Sequence, residues 1–377
     1  MRPLLFLQFL LFLFVALPAP VAAQQPGSLI AADPVPDTPP GVQAWRVQYW
    51  TTNAKNEPLR VTGIVAAPME AIPPRPRRVI AWTHGAWGVA EKCAPSLSSN
   101  FFAASAGVEP AVRAGYVVVA PDYIGLGSPT MHPFLIGDDT SRAPHEPRRA
   151  PRAIPGAAAG SSFAVWGESQ GGHAALWTAT NARRYASDLT LVGAAAAAPP
   201  TDLAANLREG SDKNARALLL SFALHSWSTL YGYPMDGIVN KSNAGIIRRL
   251  AENNCVSLQN KPKLGTILGI LTVARVTKKK DIGEIEPWKS LASANSVDPA
   301  RVPGPLLIAQ GDKDVIVAPA VTRRFAQAVC RNRTKVRYVE MPGTEHGASA
   351  KDSVTETLAW IGARFDGQAP PDDCRRI

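Results

Sequence analysis

The chain has 377 residues, of which 46% are hydrophobic and 19% charged. That composition excludes a disordered or fibrous protein and allows one large core plus an inserted subdomain. The net charge of +10 is spread as basic pairs such as Arg148-Arg149 and Arg183-Arg184, and as Lys278-Lys279-Lys280. No aromatics interleave with them, which argues against nucleic-acid binding and leaves a solvated basic surface or one drawn to anionic membranes and interfaces.

Taken in order, residues 1–23 have the pattern of a secretory signal peptide. Arg2 is basic, Leu4 to Leu17 form an apolar run, and the segment closes on small residues at Ala22-Ala23. The run is short of the ~20 residues of a membrane-spanning helix. Localisation outside the cytoplasm, extracellular or periplasmic, is therefore expected. Residues 24–40 are rich in Pro, Ala and Asp and read as an extended lead-in. Val42–Trp50 and Leu59–Ala67 alternate and predict an antiparallel hairpin.

The pattern then changes to short continuous apolar runs: Val79–Thr83, Tyr116–Ala120, Phe163–Trp166, Leu191–Ala198, Leu306–Ala309 and Val336–Met341. Such runs suit parallel strands covered on both faces. Helical stretches at Gly172–Tyr185 and Ala318–Val329 lie between some of them. Together they predict an α/β fold with a mostly parallel, eight-stranded sheet flanked by helices. About a hundred residues, 202–302, separate the fourth and fifth continuous runs, too many for an unstructured loop. Helix-like stretches at Ala215–Tyr231 and Asn243–Glu252 mark them as an inserted helical cap, dividing the core into 24–201 and 303–377. The apolar Ala215–Tyr231 stretch suits core packing and an acyl pocket equally.

Cys93, Cys255, Cys330 and Cys374 make an even count in a chain marked for export, which predicts two disulfides with three pairings open. No C-x-x-C pair suggests a metal.

Gly167-Glu168-Ser169-Gln170-Gly171 matches G-x-S-x-G. The pattern alone is common, but its context is informative. Phe163–Trp166 reads as a buried strand, and a helix opens at Gly171-Gly172, the strand–turn–helix setting of a nucleophile elbow. A serine hydroxyl is a poor nucleophile until a base takes its proton. In this arrangement the acid and then the base follow the nucleophile in chain order. Of six histidines, His84, His132 and His145 precede Ser169, His173 lies in the helix just after it and His225 in the cap; only His346 follows the last strand. The acid is expected at Asp314, three residues after Gly311 at the end of a strand, with Asp312 the rival. Oxyanion donors are expected from the N–H of Gln170 and of Ala86, in the loop His84-Gly85-Ala86-Trp87-Gly88, with Gly85 or Trp87 as neighbours able to serve instead. His84 reads as shaping that loop. The Pro121–Gly127 loop, with two glycines, suits a structural turn or a rim of the site. This chemistry needs neither metal nor organic cofactor.

Thr83-His84-Gly85, Cys93-Ala94-Pro95-Ser96, Pro121–Gly127, His132-Pro133, Trp166–Gly172, Ala197–Pro200 and Gly311–Asp314 together resemble the secretory lipase family, over about residues 40 to 365. The resemblance implies an α/β-hydrolase with a helical cap between the sixth and seventh strands, cleaving carboxylic esters including acylglycerols. It implies Ser169, Asp314 and His346 as the triad, and the disulfides Cys93–Cys255 and Cys330–Cys374. The expected partners are a small-molecule ester or lipid and a lipid–water interface, with no obligate protein partner and no nucleic acid. One departure stands out: Pro144, Pro147 and Pro151 fall where the family has a helix, and they forbid a regular one. A serine exopeptidase of the same fold is the alternative, and it would need acidic anchors for an amine in or near the cap, for which Glu284 and Glu286 are unmarked candidates. A catalytically dead binding module is the other, disfavoured by the complete set of three residues in order.

Overall fold

The computed structural model describes residues 24–145, 149–185, 187–256 and 262–377; residues 1–23, expected from sequence to be a signal peptide, lie outside the described residues. Nine strands form one sheet: β1 (Leu29–Pro34), β2 (Val42–Thr52), β3 (Pro58–Pro68), β4 (Arg77–Thr83), β5 (Val117–Pro121), β6 (Ala159–Glu168), β7 (Thr190–Ala197), β8 (Leu306–Gly311) and β9 (Val336–Met341). Their spatial order is β1-β2-β3-β5-β4-β6-β7-β8-β9. The first four in that order pair antiparallel and the remainder parallel.

The sheet therefore has one strand more than the expected eight. The extra strand is β1, within the stretch read as a lead-in. An edge strand needs only one ladder and little burial, so it carries a weak apolar signal, and its Pro34 is tolerated there. Every β1 residue is partly or fully exposed.

Between β4 and β5 run α1 (Phe101–Ala104) and α2 (Val108–Arg113), and between β5 and β6 run α3 (Gly137–Arg142) and α4 (Arg149–Arg152). The helix α5 (Gln170–Tyr185) joins β6 to β7. Between β7 and β8 lie α6 (Leu203–Glu209), α7 (Lys213–Tyr231), α8 (Lys241–Asn253), α9 (Leu264–Thr277) and α10 (Trp288–Asn295). Then α11 (Pro319–Arg331) joins β8 to β9, and α12 (Ser349–Asp352) and α13 (Val354–Phe365) follow β9.

The continuous apolar runs are explained by two buried faces. Val79, Ala81, Val117, Val119, Phe163, Val165, Leu306 and Ile308 face one core, which α5 and α11 complete. Their neighbours Ile80, Trp82, Val118, Ala120, Ala164, Trp166, Leu307 and Ala309 face the other, under α2, α12 and α13. Alternate side chains point to opposite sides of a pleated strand, so a strand covered on both sides must be apolar throughout. A separate cluster holds the helices between β7 and β8 together, built on Leu220, Leu224, Trp227, Ile247, Leu250 and Trp288.

The proline-rich departure has the expected effect. The helix α3 ends at Arg142, a 3-10 turn spans Ala143–His145, and α4 is one turn long. At the break, the buried Arg142 guanidinium donates to Thr52 Oγ1, Asn56 Oδ1 and Tyr185 OH, tying the β2–β3 hairpin to α5. Disulfides link Cys93 to Cys255 and Cys330 to Cys374, the pairing implied by the resemblance. No helix among the described residues is long and apolar enough to cross a membrane.

Candidate active site

Ser169 stands on the turn between β6 and α5 with φ of 54°, a left-handed conformation unusual for a residue with a Cβ. Two features hold it there. Its N–H donates to Ala197 O at 2.9 Å, and its carbonyl accepts from His173 N at 3.1 Å. The flanking glycines are sterically required. A Cβ on Gly167 would lie 2.0 Å from Thr83 Oγ1, and one on Gly171 would lie 1.9 Å from Thr83 O. The motif is thus a packing requirement as much as a chemical one: strand, turn and helix approach too closely for any side chain at those two positions.

His346 and Asp314 come to the same point from the ends of β9 and β8. Ser169 Oγ donates to His346 Nε2 at 2.9 Å, and His346 Nδ1 donates to Asp314 Oδ2 at 2.8 Å. An ionised carboxylate can only accept, so the ring proton sits on Nδ1 and Nε2 is left free to accept. Asp314 is itself held firmly. Its Oδ1 accepts from Ile316 N and Val317 N, and its Oδ2 also accepts from Gln310 Nε2. The side chain of Asp314 is 0% exposed, against 14% for His346. The rival Asp312 is exposed and accepts from Gly343 N.

Gln170 is the first residue of α5, so its N–H belongs to the turn whose donors have no intrahelical acceptor. The positive end of this 16-residue helix adds to the potential there. Ala86 and Gln170 both line the cavity beside Ser169, whereas Gly85 and Trp87 do not. The loop that carries Ala86 is braced by His84, whose Nδ1 meets Gly85 O at 2.6 Å and whose carbonyl accepts from Tyr123 OH. Burial lowers the pKa of His84 to about 4, so it is a neutral structural group, as read from sequence. The Pro121–Gly127 loop is likewise an internal brace. Asp122 accepts from Ser96 N, Ser96 Oγ and Thr62 Oγ1, and Gly125 and Gly127 have φ of 83° and 71°.

Sequence reasoning missed the support of Gln170. Its Nε2 donates to His132 Nε2 at 2.9 Å, while His132 Nδ1 donates to Ile124 O at 2.8 Å. Burial lowers the His132 pKa to about 3, which keeps the ring neutral and its Nε2 an acceptor. His132 is 38 residues from Gln170 in the chain. No local signal reports that contact.

Glu168, between the site and the Gly85 loop, is pushed up to about 7 by burial, opposed by the nearby His346. The cavity is lined chiefly by apolar side chains, among them Phe134, Leu135, Leu219, Ala223 and Trp227. Leu220 and Trp227 of α7 pack in the helical cluster and also line the cavity. Among the described residues Asp212 is the one carboxylate lining it, and its Oδ1 is occupied by capping Asn214 N and Ala215 N. Glu284 and Glu286 lie elsewhere: Glu284 pairs with Lys289, and Glu286 accepts from Ser290 N on the surface.

A mostly parallel sheet with antiparallel strands at one edge, carrying a serine on a strained strand–helix turn, defines an α/β-hydrolase. The chain belongs to the secretory lipase family, whose model matches residues 103–373. It is 24% identical over 358 residues to a probable inactive lipase of Mycobacterium tuberculosis, covering 89% of this chain and 76% of that one. It is 27% identical over 281 residues to Lipase 2 of Candida albicans, covering 71% of this chain and 59% of that one. Among solved structures it is similar to Candida antarctica lipase A, with a TM-score of 0.71 at 20% identity over 93% of this chain and 84% of that one. It is also similar to the rice cell wall degrading esterase LipA of Xanthomonas oryzae, with a TM-score of 0.69 at 18% identity over 92% of this chain and 100% of that one.

Proposed function

We propose that this chain is an exported serine hydrolase that cleaves carboxylic esters, acylglycerols or other acyl esters, through an acyl-enzyme on Ser169. The observation that carries the reading is the unbroken run of hydrogen bonds from Asp314 through His346 to Ser169. His346 Nε2 takes the Ser169 proton as Oγ attacks the ester carbonyl, and the new imidazolium is stabilised by Asp314. The N–H groups of Gln170 and Ala86 face the oxygen as it gains charge. His346 then returns the proton to the departing alcohol, and later activates water to release the acid. The helices α6 to α10 form the cap that, with the core, encloses the acyl cavity. The family and the two disulfides support export, with 1–23 as the leader.

The apolar cavity favours an acyl group over a charged amine. An aminopeptidase would need a carboxylate free to hold an amine there, whereas Asp212 spends Oδ1 on a helix cap and the cationic Arg216 lines the same cavity. The relative described as probably inactive makes the completeness of the three residues here the point to test. A fluorophosphonate probe is expected to label the protein but not Ser169→Ala. On p-nitrophenyl esters of increasing chain length, turnover is expected to exceed that on aminoacyl anilides. Faster anilide turnover, or labelling that survives Ser169→Ala, overturns the proposal.

A further inference from the structure

The helix α9 shows solvent a face that its packing does not explain. Leu264, Ile267, Leu268 and Leu271 are 71%, 40%, 56% and 50% exposed. Their spacing of i, i+3, i+4 and i+7 places them on one side of the helix. Gly269, Val273 and Thr277 are the buried residues of the opposite side, and a Cβ on Gly269 would lie 3.0 Å from the Leu250 side chain of α8. The helix is thus firmly seated by one face and displays an apolar stripe on the other.

The charge carried by α9 and its flanks is of one sign only. Residues 262–280 contain Lys263, Arg275, Lys278, Lys279 and Lys280 and no acidic side chain. The acidic groups that follow α9 in the chain have basic neighbours: Asp281 lies near Arg208, and Glu284 near Lys289 and Arg208. The basic end also adjoins the site. A surface depression lined by Arg208 and Lys278, Lys279 and Lys280 shares Leu207, Arg216 and Leu220 with the apolar cavity beside Ser169.

We propose that α9 docks the protein on an anionic lipid surface, its four apolar side chains entering the acyl boundary and its lysines meeting anionic headgroups. A second copy of the chain fits poorly, because it would set five cations against five on molecules that each carry a net +10. The ester-hydrolase reading is needed only to give the docking a purpose; the docking itself is measured without turnover.

The test is co-sedimentation of the full mature chain with vesicles of phosphatidylcholine alone or with 30% phosphatidylglycerol. Binding to the mixed vesicles is expected, with partitioning falling roughly 100-fold in Lys278→Ala/Lys279→Ala/Lys280→Ala and by about as much in Leu268→Glu/Leu271→Glu. Ser169→Ala is expected to bind like the wild type, which separates docking from catalysis. Circular dichroism melts, and the rate on soluble p-nitrophenyl acetate, are expected to be unchanged in both α9 variants, so a loss of binding is not a loss of fold. Equal binding to both vesicle types overturns the anionic part of the proposal. Absence of vesicle binding, or a dimer in sedimentation velocity that Leu268→Glu/Leu271→Glu abolishes, overturns it altogether.

Discussion

Replacing Asp314 by Asn keeps the shape of the side chain but removes an acceptor from a carboxylate that uses both oxygens fully. Oδ1 accepts from two backbone N–H groups at 2.9 Å each, and Oδ2 accepts from Gln310 Nε2 at 3.0 Å and His346 Nδ1 at 2.8 Å. An asparagine must turn its NH2 toward one pair. Facing Ile316 and Val317, it would set a donor against two backbone donors, one buried and one partly buried, at about 1–3 kcal/mol for a buried group left unsatisfied. Facing Gln310 and His346, it conflicts with Gln310 alone, because the imidazole can move its proton from Nδ1 to Nε2. The second arrangement costs less and is the one expected. It leaves Nε2 protonated, unable to accept from Ser169. A wrong tautomer in a site of this kind lowers kcat by about 10⁴, or roughly 5 kcal/mol in the barrier. The assay is kcat and KM on p-nitrophenyl butyrate with a melt as control: kcat should collapse, KM change little and the fold persist. Asp312→Asn, at an exposed position, should stay within about threefold of wild type. If Asp314→Asn keeps kcat within tenfold of wild type, or Asp312→Asn is the variant that collapses, the assignment is wrong.

Gly171→Ala places a Cβ 1.9 Å from the Thr83 carbonyl oxygen, and is expected to cost about 3 kcal/mol or more, read as a lower melting temperature with loss of probe labelling. Glu168 has a pKa of about 7 in the fold, above the ordinary 4.5, so its contribution to stability is complete below about 4.5 and is lost as pH rises to about 7. The melting-temperature advantage of Glu168→Gln should therefore grow between pH 5 and pH 8. The buried histidines act with the opposite sign. His84 and His173 are lowered to about 4, and His132 and His145 to about 3, so each stabilises the fold above about 6.5, and that stability drains away as pH falls toward 3–4. Urea unfolding at pH 7, 5.5 and 4.5 should show progressively lower midpoints; constant midpoints would contradict burial of neutral imidazoles.

Much of this protein is written in short-range patterns. The parallel sheet is legible because strands covered on two faces must be apolar at every position, and the elbow because Gly167 and Gly171 admit no side chain. Ser169 could be read from its motif and His346 from chain order, since one histidine alone follows the last strand, while the acid stayed between Asp314 and Asp312. Tertiary structure decided what depends on contacts between distant points. It set Asp314 against His346 and left Asp312 exposed, and it placed His132 under Gln170. It also recruited β1 as a ninth strand, which carries little apolar signal because only β2 pairs with it. Side-chain hydrogen bonds across 30 or more residues leave no periodicity in the chain. Burial does, because it constrains every second or every third to fourth residue, and that is why the core was readable while the braces of the site were not.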